Sequence, residues 1–237
     1  MRKSAQYNTV FVSSVILFFL LFAFSGRVLK ARTDILQQEI KDKQSLLNGR
    51  IWRNQYLKVS GDQFFLSDKF LKGSLTFNGR RFNNLDLMYD IADDELILKG
   101  ESYPTIILNK EMVDSFSLFF GNHIYHIINM GNDSSSLMKG YINVLYEGPS
   151  ALYVKHIKRI QPLAVDGRVD LFYQEHRTFL LKEDKIHQVK GKQSLLHLLS
   201  DREREIREYI RSRRIKLVSR DPDSFIPLLR YYDSLKK

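Results

Sequence analysis

Cysteine is absent from all 237 residues. The chain therefore offers no thiol nucleophile, no thiolate zinc site, no iron–sulfur cluster and no cysteine to carry a lipid. Its absence does not argue against export, because a domain of this size can bury a core without disulfides. Motifs that depend on glycine are missing as well. Gly191-Lys192-Gln193-Ser194 has the ending of a phosphate loop, but Ile186 stands where the upstream glycine belongs and serine does not follow lysine directly. No G-x-S-x-G elbow occurs, so serine hydrolase chemistry of that design is unsupported. Strands do not alternate with long helices, which argues against a βαβ nucleotide fold. No stretch rich in proline, glycine or serine marks a linker, and tryptophan occurs once, at Trp52.

What is present divides the chain. Arg2 and Lys3 precede an apolar run, VFVSSVILFFLLFAF, from Val10 to Phe24, and Ser25-Gly26 follow. A basic start, an apolar stretch and small residues at a cleavage point are the layout of a secretory signal, with cleavage expected before Gly26. The alternative is an uncleaved anchor over residues 7–26, close to the length that crosses a bilayer, with the body outside the cytoplasm. Arg27, Lys30 and Arg32 stand against cleavage, because positive charge resists translocation. Formal net charge is +10; cleavage after Ser25 removes two bases and no acid, leaving +8. For an exported or periplasmic protein, the matching partners are an envelope protein, anionic lipid or acidic glycan rather than nucleic acid. Membrane contact would run through the N-terminal segment.

Residues 26–50 carry widely spaced Leu29, Ile35, Ile40 and Leu46 and read as a helical lead-in. A strand is expected over Ile51 to Val59. From there to residue 190 the chain reads as an antiparallel β domain, with its clearest hairpins between Gly73 and Lys158. Asn78-Gly79, Ala92-Asp93-Asp94 and Glu147-Gly148-Pro149 supply turns, and Glu183-Asp184 tips a last hairpin. Residues 191–237 change to helical spacing. Leu195, Leu196, Leu198 and Leu199 mark one helix, DREREIREYIRSRR a second capped by Asp201, and FIPLLRYYDSL a third capped by Ser224. The fold class expected is α+β: a curved antiparallel sheet of meanders and hairpins, preceded by an N-terminal hydrophobic helix and closed by a C-terminal helical segment.

The strand pair GSLTFNGRRFNNLDLMYDIADDELIL, the hairpin YINVLYEGPSALYVKHIK and the ending that carries Tyr231-Tyr232 together resemble a group of exported β-rich proteins of Bacteroidota. That group has no established activity, so the resemblance implies export and fold continuity only.

Candidate chemistry is thin. His123 and His126 share one strand, where a spacing of three sends the rings to opposite faces and defeats a shared metal. His156, His176, His187 and His197 have no partner at ligand spacing. Asp90, Asp93, Asp94 and Glu95 lack the alternating oxygens and central glycine of a calcium loop and read as a charged hairpin tip. No catalytic residue, metal ligand or cofactor site is assigned. The one candidate surface is basic: Arg204, Arg207, Arg211 and Arg214 recur at three- and four-residue spacing on the second helix, among Glu203, Glu205 and Glu208. The expectation is a non-catalytic envelope protein binding a partner or an anionic surface. The alternatives are a hydrolase-like site assembled from distant residues, and a lipid carrier with an apolar hollow in the curved sheet.

Overall fold

The computed structural model describes residue 44 and residues 46–100, 102–133, 136–162 and 169–235. The leader or anchor at 1–25, and the lead-in as far as residue 43, lie outside the described residues. The chain divides into two units, 1–48 and 49–237. In the first, the Leu47 N–H donates to the Gln44 carbonyl at 3.0 Å. Among the described residues no helix is long and apolar enough to cross a membrane.

The second unit is organised on one sheet of eleven strands, every neighbouring pair antiparallel. They are β1 (Gly49–Ile51), β2 (Leu71–Phe77), β3 (Arg80–Asp90), β4 (Glu95–Leu98), β5 (Ile106–Leu108), β6 (Val113–Phe120), β7 (His123–Asn129), β8 (Tyr141–Glu147), β9 (Ala151–Gln161), β10 (Leu171–Lys182) and β11 (Lys185–Val189). Their spatial order is β1-β5-β4-β3-β2-β6-β7-β8-β9-β10-β11. One meander runs from β2 to β5, and a second runs from β6 to β11 on the free edge of β2. The expected turns are where the sequence placed them. Asn78 and Gly79 have φ of 49° and 73°, and Glu183 and Asp184 have 53° and 57°. Positive φ at both central residues matches the right-handed twist of the flanking strands. The strand expected over Ile51 to Val59 stops at Ile51. The Asn54 side chain accepts the Tyr56 N–H (2.9 Å), and the Val59 N–H returns to the Tyr56 carbonyl, so a side-chain turn wins over the ladder.

The sheet curls. Tyr89 of β3 and Tyr141 of β8 meet edge-on at 5.6 Å, with Phe116 of β6 against both at 5.3 and 5.1 Å. In a flat sheet, β3 and β8 would be roughly 19 Å apart, four strand spacings. The face bearing these rings is therefore concave. Further round, β9 outruns β8, whose pairing with it ends at Asn143–Val154. Beyond that point the Lys158 N–H of β9 donates to the Ile91 carbonyl at the end of β3, at 3.1 Å. The segment 60–65 laces the same gap: Ser60 pairs with Leu171, and the Phe65 N–H donates to Tyr89 (2.8 Å). The ends of the strand order, β1 and β11, do not pair with each other.

Three helices follow: α1 (Lys192–Leu198), α2 (Glu203–Ser212) and α3 (Ile226–Ser234). Leu195, Leu199, Ile206, Phe225, Leu228, Leu229 and Tyr232 bury themselves against Leu152, Leu180 and Val189. Strand alternation places Leu152 on the same face as Val154 and His156, and the His156 ring packs on Phe65 at 4.4 Å. The helices thus cover the concave face of the last strands. Two expected caps do other work. Asp201 sits in a short 3-10 turn, where its carboxylate takes Lys182 Nζ (2.7 Å) and the Tyr232 hydroxyl (2.8 Å), tying strand to helix. The Ser224 hydroxyl is spent on Val218 and Asp221, and α3 begins only after the 3-10 turn Pro222–Phe225.

Candidate functional site

Three places gather enough polar side chains to be tested for chemistry. The first is at one end of the curl, where the turn after β3 meets the start of β8. Asp94, in the turn after β3, accepts Tyr89 Oη (2.7 Å) and Lys155 Nζ (2.6 Å) on Oδ1, and Lys110 Nζ on Oδ2. Gly140, with φ of 70°, is required opposite it: a Cβ there would lie 1.9 Å from Asp94 Oδ2. Burial alone would raise the Asp94 carboxyl, but the two lysines outweigh it and hold the group below its ordinary value. Burial pulls Lys155 down, assisted by the charges of Lys110 and Lys139 and opposed by Asp94. A lysine so placed has the profile of a nucleophile or base. Its ammonium is committed, however, donating to Asp94 and to the Tyr141 carbonyl (3.0 Å). Nearby, burial pushes His156 down to about 4. It is a neutral ring, and its Nε2 lies 3.3 Å from Asn143 Nδ2. This group is a half-buried clamp that fixes the β3–β4 turn to β9 and to the loop before β6.

The second place is the outer side of the same turn. Asp90 accepts the Ala92 and Asp93 N–H groups at 2.9 and 3.0 Å. Burial raises its pKa to about 6 against those two bonds, with the charges of Asp93 and Glu95 adding to the rise. The Tyr56 hydroxyl donates to Asp93 (2.7 Å), and Glu95 pairs with Arg50. These acids are tied to their own turn and its neighbours, and among the described residues no group of three His, Asp or Glu could hold a metal.

The third place carries the arginines the sequence singles out. On α2, at about 100° per residue, Arg204, Arg207 and Arg211 fall within an arc of about 60°. Buried Ile206 and half-buried Tyr209 and Ile210 lie on the opposite arc, so the stripe points to solvent. Ile206 packs on the body, and Tyr209 stacks on Tyr231 with ring centres 3.9 Å apart. Arg207 is paired with Glu203 (2.6 Å), one turn earlier. Arg204 and Arg211 make no ion pair among the described residues. Arg214 leaves the stripe, because α2 ends at Ser212 and Arg214 turns back with φ of 50°. Beside the stripe, α1 and α2 enclose an open cleft of about 300 Å³ lined by Gln193, Leu196, His197, Ser200, Ile206 and the Glu203–Arg207 pair. Residues 202–214 hold six arginines and three glutamates, 6 − 3 = +3.

The two histidines of HIYH part as strand alternation requires. His126 Nδ1 lies 3.2 Å from Ser117 Oγ, while the His123 ring stands 6.4 Å from Tyr125. Spacing could not reveal Asp94 with Lys110 and Lys155, because partners 16 and 61 positions away meet only when the sheet curls. The one signal in the sequence is a lysine, Lys155, among the apolar positions of a strand. Comparison with family models, curated proteins and solved structures finds no match for this chain.

Proposed function

We propose that this is a non-catalytic protein of the cell envelope, exported or held by its N-terminal segment, that binds an acidic partner through the α1–α2 cleft and the arginine stripe beside it. One observation carries the reading: Arg204 and Arg211 have no ion-pair partner among the described residues and stand on the solvent side of α2, whose other side is fixed to the body through Ile206 and the Tyr209–Tyr231 stack. A charged group displayed on a rigid, well-packed element loses little freedom on binding, which favours recognition. Unpaired arginines also match carboxylates or phosphates with a planar, two-pronged donor set. The cleft alongside is large enough for one or two side chains of a partner.

Export rests on the N-terminal apolar run and on the family resemblance. The lipid-carrier alternative is less favoured, because Tyr89, Phe116 and Tyr141 fill the concave side by direct ring contact. The enzyme alternative has its best support in Lys155, and there the amine is already bonded. The test is triple charge reversal, Arg204→Glu, Arg207→Glu and Arg211→Glu, in the full-length protein. Binding to anionic vesicles and to crosslinked envelope partners should fall at least tenfold at physiological salt and much less at high salt. Full binding with the triple change would overturn the reading.

A further inference from the structure

A hydroxyl-lined depression of about 80 Å³ lies on the convex face of the sheet, where β2, β6 and β7 run side by side, remote in the strand order from the α1–α2 cleft. Ser74, Thr76, Ser115, Ser117, His126 and Arg81 surround it. All six project away from the concave core, since Leu75, Phe116 and Ile127, their alternating neighbours, are buried on the other side. Irregular pairing builds it. Between Gly73 and Leu75 the register with β3 slips, so Ser74 faces two residues, Asn83 and Asn84, the latter with φ of 56°. Such a bulge bends a strand and re-aims its side chains. A second slip, against β6, lies between Thr76 and Phe77.

The bonding inside the depression is incomplete in one direction. Ser74 is only 6% exposed, and its hydroxyl, which lines the hollow, has no partner among the described residues. Asn83 holds Arg81 through Nε (3.2 Å), which orients the guanidinium and leaves its two outer nitrogens without an ion pair among the described residues. Ser117 engages His126 at Nδ1, so Nε2 is unspent. Among the described residues no carboxylate lines the hollow. Asp86, which lies across from Lys72 on the ladder, is neutralised by that lysine at 3.1 Å.

Four hydroxyls, an imidazole and an oriented guanidinium, without an acid, form a donor set for an anion. A cation would meet no charged ligand there, and a drug-sized molecule needs about 300 Å³ or more. The fork of the guanidinium fits two oxygens of a tetrahedral group, with hydroxyls to meet the others. From this geometry we infer that the convex face binds one tetrahedral oxyanion, phosphate or a phosphomonoester, on Arg81, Ser74 and the Ser117–His126 pair.

The experiment is titration of full-length protein with inorganic phosphate and, separately, glycerol phosphate, by calorimetry and phosphorus NMR at constant ionic strength. Saturable one-to-one binding is expected. It should weaken at least tenfold in Arg81→Gln and several-fold in Ser74→Ala, and stay unchanged in Arg177→Gln, which removes the same charge from β10. Tighter binding of the ester identifies an esterified headgroup as the ligand, and tighter binding of phosphate identifies the free ion. If Ser74→Ala unfolds at the bulge, Ser117→Ala supplies the hydroxyl deletion. A linear, non-saturating response overturns the inference, as do equal losses in Arg81→Gln and Arg177→Gln. So does ester hydrolysis abolished by Ser117→Ala, which would make the pair a catalytic dyad instead.

Discussion

Replacing Asp90 by asparagine should stabilise this protein, and by an amount that depends on pH. Asp90 is 3% exposed at the end of β3, and burial lifts its carboxyl from 3.8 to about 6. The sign follows from proton linkage. Below about pH 3 both folded and unfolded chains hold the proton, and the group contributes no difference. From about pH 3 to about pH 6 the unfolded chain loses a proton that the folded chain still keeps, so stability falls as pH rises. Above about pH 6 both are ionised and the loss is complete. A rise of about 2.2 pH units at about 1.36 kcal/mol per unit gives about 3 kcal/mol at pH 8, and about 0.5 kcal/mol near pH 4. Asparagine keeps the oxygen that accepts the Ala92 and Asp93 N–H groups and carries no charge to desolvate. Urea unfolding of both proteins at about pH 4 and about pH 8 reads the difference directly, because all other titrating groups are shared. The expected gain at the higher pH is about 1–3 kcal/mol, shrinking to about 0.5 kcal/mol or less at the lower. An Asp90→Asn protein that is less stable at both, or that gains equally at both, would refute the assignment of burial as the cause.

The other stability predictions concern two carboxylates that join distant parts of the chain, half-buried Asp94 and buried Asp233. Asp94→Ala leaves Lys110 and Lys155 partly buried without their shared anion and frees the Tyr89 hydroxyl, so it should cost about 3–5 kcal/mol. Lys155→Met should cost less than about 2 kcal/mol, since Lys110 and Tyr89 still satisfy Asp94; the same urea assay decides whether that asymmetry holds. Asp233 Oδ2 accepts the Ser150 N–H, the Ser150 hydroxyl and the Tyr146 hydroxyl at 3.1, 3.0 and 2.8 Å. Asp233→Ala should therefore cost about 2–4 kcal/mol. It should also speed amide exchange selectively in α3; uniform acceleration across the sheet would mean that the helix is not held at that point.

Much of the fold is legible in the sequence for local reasons. Asn78-Gly79 and Glu183-Asp184 are turns because short polar residues and glycine tolerate positive φ, and the strands beside them alternate with a period of two. Ile206, Tyr209 and Ile210 state which side of α2 is buried, and by the same count which side the arginines occupy. The local errors are local competitions. Asn54 bends the segment after β1, and Asp201 and Ser224 prefer partners elsewhere to capping. Arg214 lies off the stripe because the helix ends at Ser212, two residues sooner than its composition predicts.

What the sequence could not determine is everything that depends on how far the sheet curls. Alternation specifies a strand's two faces but not which of them becomes concave. The insertion of β6 beside β2 rather than β5, and the bond from Lys158 to Ile91, decide that. Closing that curve brings Asp94 to Lys155, seats the helices on the concave face and leaves the serines of β2 and β6 outward around Arg81 and His126. Periodicity is set within a few residues by steric and solvation preferences. Convergence of side chains tens of positions apart is set by packing of the whole chain, and only the tertiary structure contains it.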